Sequence, residues 1–282
     1  MQKAPMTALI LLNYNDPVST LKAAERVRGF QKIDRVILVD NASTDDSVRE
    51  FTGYDAELVV NKRNGGYGYG NNAGVKRAAE LGCDIAIIAN PDAVFTEDAV
   101  DIILTALSGA DVAAAGALMK GKPASDSSWP LLSLRDEVLF ACPILKRVFR
   151  NRVSYPKEFF RGLPKPVGAV HGSLFAVKTA EFLSAGGFDE RFFLFCEEKV
   201  LGQRLQKLGK QVVLTHAVYD HTGSESMKHG GLSMVRRQKE RQKSERLYYR
   251  QYLGATPLQM IGIRLLQLVV LAETRALALI KS

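Results

Sequence analysis

The chain has 282 residues, 46% of them hydrophobic and 24% charged, which is enough apolar material to bury a sizeable core. Its three cysteines, Cys83, Cys142 and Cys196, show no CxxC or Cys/His spacing, which argues against a disulfide framework or a zinc site and suits reduced thiols in a cytoplasmic protein. The net charge of +8 is concentrated in residues 145–165 and 234–250, each with seven Lys/Arg; such patches are either solvated helix faces or sites for an anionic partner, and with no nucleic-acid-reading motif beside them that partner is expected to be an anionic membrane surface or a lipid-phosphate substrate rather than nucleic acid.

The opening "MQKAPMTALILLNYN" ends its apolar run in polar residues, so no signal peptide is expected. Strand-like runs then alternate with helical patterns: a strand over 7–12, a helix over 17–29, a strand over 35–40, a helix over 44–52, a strand over 57–61, a helix over 71–81, a strand over 84–90 and a helix over 96–108. This alternation predicts an α/β fold with a parallel sheet covered on both faces, and the continuously apolar "IAIIA" fits a strand buried on both sides. Six prolines and the first basic cluster make 120–166 an excursion or flap. Order returns with a strand over 169–179, two helical stretches around Gly186-Gly187 and a strand at "QVVLTH". Residues 257–281 form a helix with one broad apolar face through 261, 265, 268, 269, 272, 276 and 279/280, suited equally to docking on the core or lying on a membrane.

In parallel sheets, ligands gather beyond the carboxyl ends of the strands. There lie Asn13-Tyr14-Asn15, Asp40-Asn41, the glycine-rich "NGGYGYGNNAG" (64–74) and Asn90-Pro91-Asp92. A nicotinamide site is disfavoured, because the third glycine of GxGxxG is replaced by Asn71 and the loop follows the third strand rather than the first.

Six segments occur in order: "NYN", "VDNASTDDS", "NGGYGYGNNAG", "NPD", "GGFDERFFLFCEE" and "VYDHTGSES" (218–226). This series resembles family 2 glycosyltransferases, in particular the bacterial rhamnosyltransferase-like branch of surface polysaccharide synthesis, over roughly residues 6–252. The resemblance implies a GT-A fold, a Rossmann-like mostly parallel sheet flanked by helices over 1–252, with an amphipathic C-terminal helix over 253–282. It also implies a nucleotide-sugar donor (UDP or dTDP, rhamnose being the sugar of that branch), a divalent metal (Mg or Mn), an inverting transfer, and a glycan or lipid-linked glycan acceptor. A homodimer and a peripheral contact with the inner face of the cell membrane are further expected partners.

Within that frame Asp40 offers an acceptor for the imide N–H of uracil or thymine, walled by Asn13, Tyr14 and Asn15. Asp92 is a hard oxygen ligand for a divalent ion bridging two phosphates, and His221 resembles the family's histidine that reaches the metal or diphosphate. Asn64, Gly65, Asn71, Asn72, Gly74 and Asn90 are implied donor contacts, with a helix start at residue 71 whose unpaired N–H groups attract the diphosphate. Glu197 and Glu198 are the catalytic carboxylates, Glu198 being the base that deprotonates the acceptor hydroxyl, and Asp189 contacts acceptor hydroxyls. Where the family carries a further aspartate, this chain has Val200. A nucleotidyltransferase and an inactive sugar-binding module are the alternatives.

Overall fold

Strand β1 (Thr7–Asn13) sends Ala8 and Ile10 into one apolar cluster and Leu9 and Leu11 into another, so the sheet it founds must be covered on both faces. The computed structural model describes residues 4–221 and 233–281; residues 222–226 of the sixth motif lie outside them. β2 (Arg35–Asp40), β3 (Glu57–Val60) and β4 (Ile85–Ala89) join β1 in parallel, in the order β3-β2-β1-β4. The connecting helices are α1 (Pro17–Arg26), α2 (Ser47–Phe51) and α3 (Tyr67–Glu80). Asp16 caps α1 by accepting from the Ser19 amide, and Pro17 sits where no intrahelical N–H is needed.

After β5 (Ala93–Val94), helix α4 (Glu97–Leu107) and β6 (Val112–Met119), the short β7 (Ser128–Trp129) pairs with β9 (Ala169–Val170). Between them run α5 (Leu134–Ala141), α6 (Pro143–Val148), α7 (Arg150–Val153) and β8 (Lys165–Val167). β10 (Leu174–Lys178) enters antiparallel between β4 and β6; after α8 (Thr179–Ser184) and α9 (Glu197–Lys207), the long β11 (Gln211–His221) lies parallel to β6. The sheet is therefore mixed but mostly parallel, and the reversed β10 brings the residues that precede it to the same edge as the strand ends of β1, β2 and β4. Helices α10 (Met234–Tyr252) and α11 (Pro257–Lys281) complete the described chain.

Three expectations change. The strand expected over 169–179 is broken into β9 and β10 by a turn at His171–Ser173, where Gly172 and Ser173 interrupt the run. The 120–166 excursion is fastened rather than free: Lys199 of α9 reaches both oxygens of Glu137 of α5 at 2.8 and 2.7 Å, with both side chains buried and the ammonium 4.4 Å from the Phe140 ring centroid. And α3 starts at Tyr67, four residues before the expected helix.

Val200, the departure from the family pattern, is fully buried with Phe192, Tyr248, Tyr249 and Ile263 in a third apolar cluster. An aspartate there would be an unpaired buried charge, whereas valine seats α10 and α11 on α9. α11 docks through Ile263, Gln267, Val270 and Leu271, leaving Leu258, Ile261, Leu265, Leu268, Val269 and Leu279 exposed along the other side.

Candidate active site

At the ends of β1 and β2, Asn13 Nδ2 donates to Asp40 Oδ1 at 2.9 Å and to Ser43 Oγ at 3.0 Å, and the Ser43 amide donates to Asp40 Oδ2 at 2.9 Å. Asp40 is thus fully enclosed and ties two strand ends together instead of standing open, as expected, toward a base. The exposed group at this end is Tyr14, 43% accessible. Beside it Asn15 accepts from the Thr44 amide at 2.8 Å. Asn15 and Ala42 hold left-handed backbone, with φ of 54° and 59°. Such strain in non-glycine residues persists where surrounding structure enforces it, commonly at binding sites.

The glycine-rich stretch turns out to be packing. A Cβ on Gly66, whose φ is 89°, would lie 2.1 Å from the Phe193 carbonyl oxygen; one on Gly70 would lie 2.3 Å from Leu12 Cδ1; and one on Gly74 would lie 2.5 Å from Ile10 Cγ2. The glycines let α3 press onto β1 and onto the 187–193 segment. The first helical amide, Tyr67 N, donates to the Phe193 carbonyl at 3.1 Å, so the helix start is not the free anion cradle expected of it. Asn64 Oδ1 accepts from Asn41 Nδ2 and from the Gly66 amide. Asn71 is buried, with Nδ2 donating to the Tyr67 carbonyl. Asn72 clamps the Phe188 backbone from both sides, at 2.9 and 3.0 Å. Gly65 meets the Tyr69 ring. As donor contacts, Asn72 and Gly74 are therefore corrected to scaffold: both polar atoms of the Asn72 side chain are committed to the Phe188 backbone, and Gly74 is buried against Ile10.

Beyond β4 and β11 the arrangement differs. His221, the last residue of β11, places Nε2 3.4 Å from Asp92 Oδ1, both side chains being largely buried. Arg26 of α1 supports the preceding turn by donating to the Pro91 carbonyl at 3.0 Å, and the Asn90 amide donates to the Ser173 carbonyl at 3.0 Å. A carboxylate and an imidazole this close suit one divalent ion, whose adjacent ligands stand about 3 Å apart at usual bond lengths. No cluster of three or more His, Cys, Asp or Glu suited to a metal occurs among the described residues; an ion held by this pair would need further oxygen ligands from outside the protein.

The His171–Ser173 turn, which the apolar pattern places inside a strand, joins this pair to the carboxylates of Glu197 and Glu198. His171 lies 5.8 Å, ring to ring, from His221. Burial and His221 hold its pKa down to about 4, so it is neutral at physiological pH. On the other side of the turn, Tyr67 Oη donates to the Gly172 carbonyl at 2.6 Å, and a Cβ on Gly172 would lie 2.9 Å from both Tyr67 Oη and Glu198 Oε1. Phe195 and Cys196, with φ of 74° and 71°, turn the chain sharply into α9 so that Glu197 and Glu198 begin the helix against this turn. Glu197 is shut in, with Oε1 lacking a hydrogen-bond partner; burial first, then Glu198, push its pKa well above the carboxylate range. Glu198 is partly accessible. Burial raises it as well, but its own backbone amide, the Gly172 amide and Lys199 pull it back. Both carboxyls are therefore pushed up by burial, and of the two it is Glu198 that has the Gly172 amide and Lys199 beside it favouring the charged form.

Asp189 is corrected. Arg191 donates to both its oxygens, Tyr252 Oη donates at 2.7 Å, and Arg204 Nη2 lies 3.6 Å away. Although burial opposes ionisation, these donors hold its pKa at about 2, and no acceptor capacity is left for a sugar hydroxyl. Only Arg191, two residues on, is visible from local sequence; Arg204 and Tyr252 arrive from α9 and α10.

The family model for glycosyl transferase family 2 matches residues 9–178. An N-acetylglucosaminyl-diphospho-decaprenol L-rhamnosyltransferase of Mycobacterium tuberculosis is 31% identical over 192 residues, covering 62% of this chain and 61% of that protein. The solved mannosyltransferase of Pyrobaculum calidifontis, in complex with GDP-Man and Mn2+, superposes with a TM-score of 0.61 at 16% identity over 100% of this chain and 77% of that one. Glucosyl-3-phosphoglycerate synthase of Mycobacterium tuberculosis, with Mn2+, UDP and glucosyl-3-phosphoglycerate, gives 0.50 at 14% identity over 84% and 80%. At such identities the structural likeness is one of fold, and that fold is GT-A. With the family model matching well over half its length, the chain belongs to glycosyltransferase family 2.

Proposed function

We propose that this chain is an inverting glycosyltransferase that moves a sugar, rhamnose from its dTDP or UDP form, onto a lipid-linked glycan acceptor. The observation that carries the reading is the His171–Ser173 turn, with the Asp92–His221 pair on one side and Glu198 on the other. A divalent ion, Mg2+ or Mn2+, held by Asp92 and His221 would supply the counter-charge for a departing nucleoside diphosphate. Glu198 takes the proton of the acceptor hydroxyl as its oxygen attacks the anomeric carbon from the face opposite the diphosphate, and inversion follows from that single displacement. Glu197, protonated and enclosed, orients its neighbour. Tyr14 stacks on the base and Asn15 shapes its wall, while Asp40 braces that wall from beneath. The alignment with a rhamnosyltransferase whose name specifies a lipid diphosphate acceptor supports that acceptor class.

The acceptor class bears on α11. No helix among the described residues is long and apolar enough to cross a membrane. Yet Leu258, Ile261, Leu265, Leu268, Val269 and Leu279 recur at helical spacing on its outward side, with exposed Arg264 and Arg275 along one border. An aliphatic stripe edged by arginine fits an anionic membrane surface, on whose inner face the enzyme would meet a lipid-linked acceptor. Leu265→Asp/Leu268→Asp should abolish cosedimentation with phosphatidylglycerol vesicles; dimer dissociation in their absence would instead make the stripe a contact between two copies.

Thermal-shift measurements with dTDP-, UDP- and GDP-sugars, each with and without Mn2+, test the function. Stabilisation by dTDP- or UDP-sugars that needs the ion is expected; stabilisation by GDP-mannose alone, or by none of them, would overturn the reading.

A further inference from the structure

Between the Asp92–His221 pair and the fastened excursion stands an aromatic wall that core packing does not explain. Trp129 of β7 is the sole tryptophan of the chain. It belongs to none of the apolar clusters formed by the described residues, and it keeps part of its surface open. Its ring lies 5.5 Å from that of His171 at an interplanar angle of 39°, and His171 in turn lies 5.8 Å from His221. The wall is braced from behind. His171 Nδ1 is 2.7 Å from Ser173 Oγ, which hydrogen-bonds to the hydroxyl of buried Tyr219. Backbone pairing of Ser128–Trp129 with Ala169–Val170 fixes the tryptophan's side of the wall.

In a displacement at an anomeric carbon, the sugar ring must sit between the leaving diphosphate and the base that serves the attacking hydroxyl. Here that means between Asp92–His221 and Glu198, across the His171–Ser173 turn. A hexose presents a face of C–H groups, and a 6-deoxyhexose adds a methyl group. Such surface gains from resting on the open part of an indole and on the face of an imidazole ring, which cost little side-chain entropy to hold still. We infer that Trp129 and His171 form the wall of the donor-sugar subsite and contact the apolar face of the transferred sugar. The inference rests on the transfer reading above, and it adds a specificity-determining surface drawn from the excursion.

The lone tryptophan is its own reporter. Full-length protein with Mg2+ is titrated with dTDP-rhamnose and, separately, with dTDP, following indole emission and the melting temperature together. Both ligands should raise the melting temperature, but only dTDP-rhamnose should change the emission. Trp129→Ala should weaken dTDP-rhamnose about tenfold and leave dTDP unaffected, with Trp129→Phe recovering most of the loss. Should Trp129→Ala fail to fold, His171→Ala keeps the indole and should blunt the sugar-dependent change. If both ligands stabilise the protein while emission is unmoved, or moves equally for both, the wall is not the sugar subsite and the transfer reading stands. If emission responds only when acceptor is added, the wall belongs to the acceptor. If neither ligand stabilises the protein, the same titration with UDP-rhamnose and UDP decides the question, and if neither of those stabilises it, the transfer reading fails and the subsite falls with it.

Discussion

The start of α3 and the His171–Ser173 turn lie along the same edge of the sheet and are both closely packed, but they spend their polar groups differently. At α3, the Tyr67 amide, Asn64 and Asn72 are satisfied by Phe193, Asn41, Gly66 and Phe188, and each of Gly66, Gly70 and Gly74 admits a neighbour where a Cβ would stand. At the turn, Asp92, His221 and His171 gather beside one another, and Glu198 is raised but still able to ionise. One region holds the fold in register, and the other is where the proposed reading puts the chemistry. Glycine enrichment marks close approach of a backbone to something; whether that partner is a phosphate or a strand is decided by tertiary contacts.

The division can be broken most sharply at Glu198. Glu198→Gln keeps size and hydrogen bonding but removes the base, so steady-state transfer should fall by about 10² to 10⁴ with donor affinity unchanged. Because the base must be ionised and burial raises its pKa, wild-type turnover should decline as pH falls through that raised value, starting above the ordinary glutamate range. The acid limb should vanish in the variant. Glu197→Gln should lower the rate less; a reversed order would assign the base to Glu197.

Gly70→Ala sharpens the other half of the comparison. A methyl 2.3 Å from Leu12 Cδ1 should cost roughly 1 to 3 kcal/mol, read as a lower denaturant midpoint. The folded fraction should still bind dTDP normally, and selective loss of nucleotide binding at unchanged stability would restore the cradle. Asp189→Asn gives the smallest functional effect. With Arg191 half-exposed, weakening the clamp should cost about 1 to 2 kcal/mol of stability and leave the acceptor KM within about twofold. A large rise in KM on a fully stable protein would return Asp189 to the acceptor site.

Much of this was legible from residues alone. The β1 to α4 alternation and the strand ends stand where periodicity puts them. Other features turned on contacts distant in sequence. His171 lay within what read as one strand, and only Gly172 and Ser173 hinted at a break. Asp189 looked available because Tyr252 lies 63 residues away. The α11 periodicity defines an apolar stripe, but the docked face carries Gln267, whose side-chain nitrogen donates to Glu245 Oε2 at 2.9 Å and whose backbone carbonyl accepts from Gln242 Nε2 at 2.7 Å, both of α10, so the more apolar side faces out. Hydropathy alone ranks faces by polarity and does not reveal a buried polar network that reverses the choice.

The most direct test of where the chemistry resides is calorimetric titration of Mn2+ with dTDP into wild-type protein, Asp92→Ala and Asn71→Ala, each verified as folded by its melting transition. Binding should be lost in Asp92→Ala and retained within about threefold in Asn71→Ala, since on the proposed reading Asp92 would hold the ion that carries the diphosphate, while the Asn71 side chain donates to the Tyr67 carbonyl. Retention in Asp92→Ala with loss in Asn71→Ala would contradict the assignment and return the donor to the glycine-rich helix start.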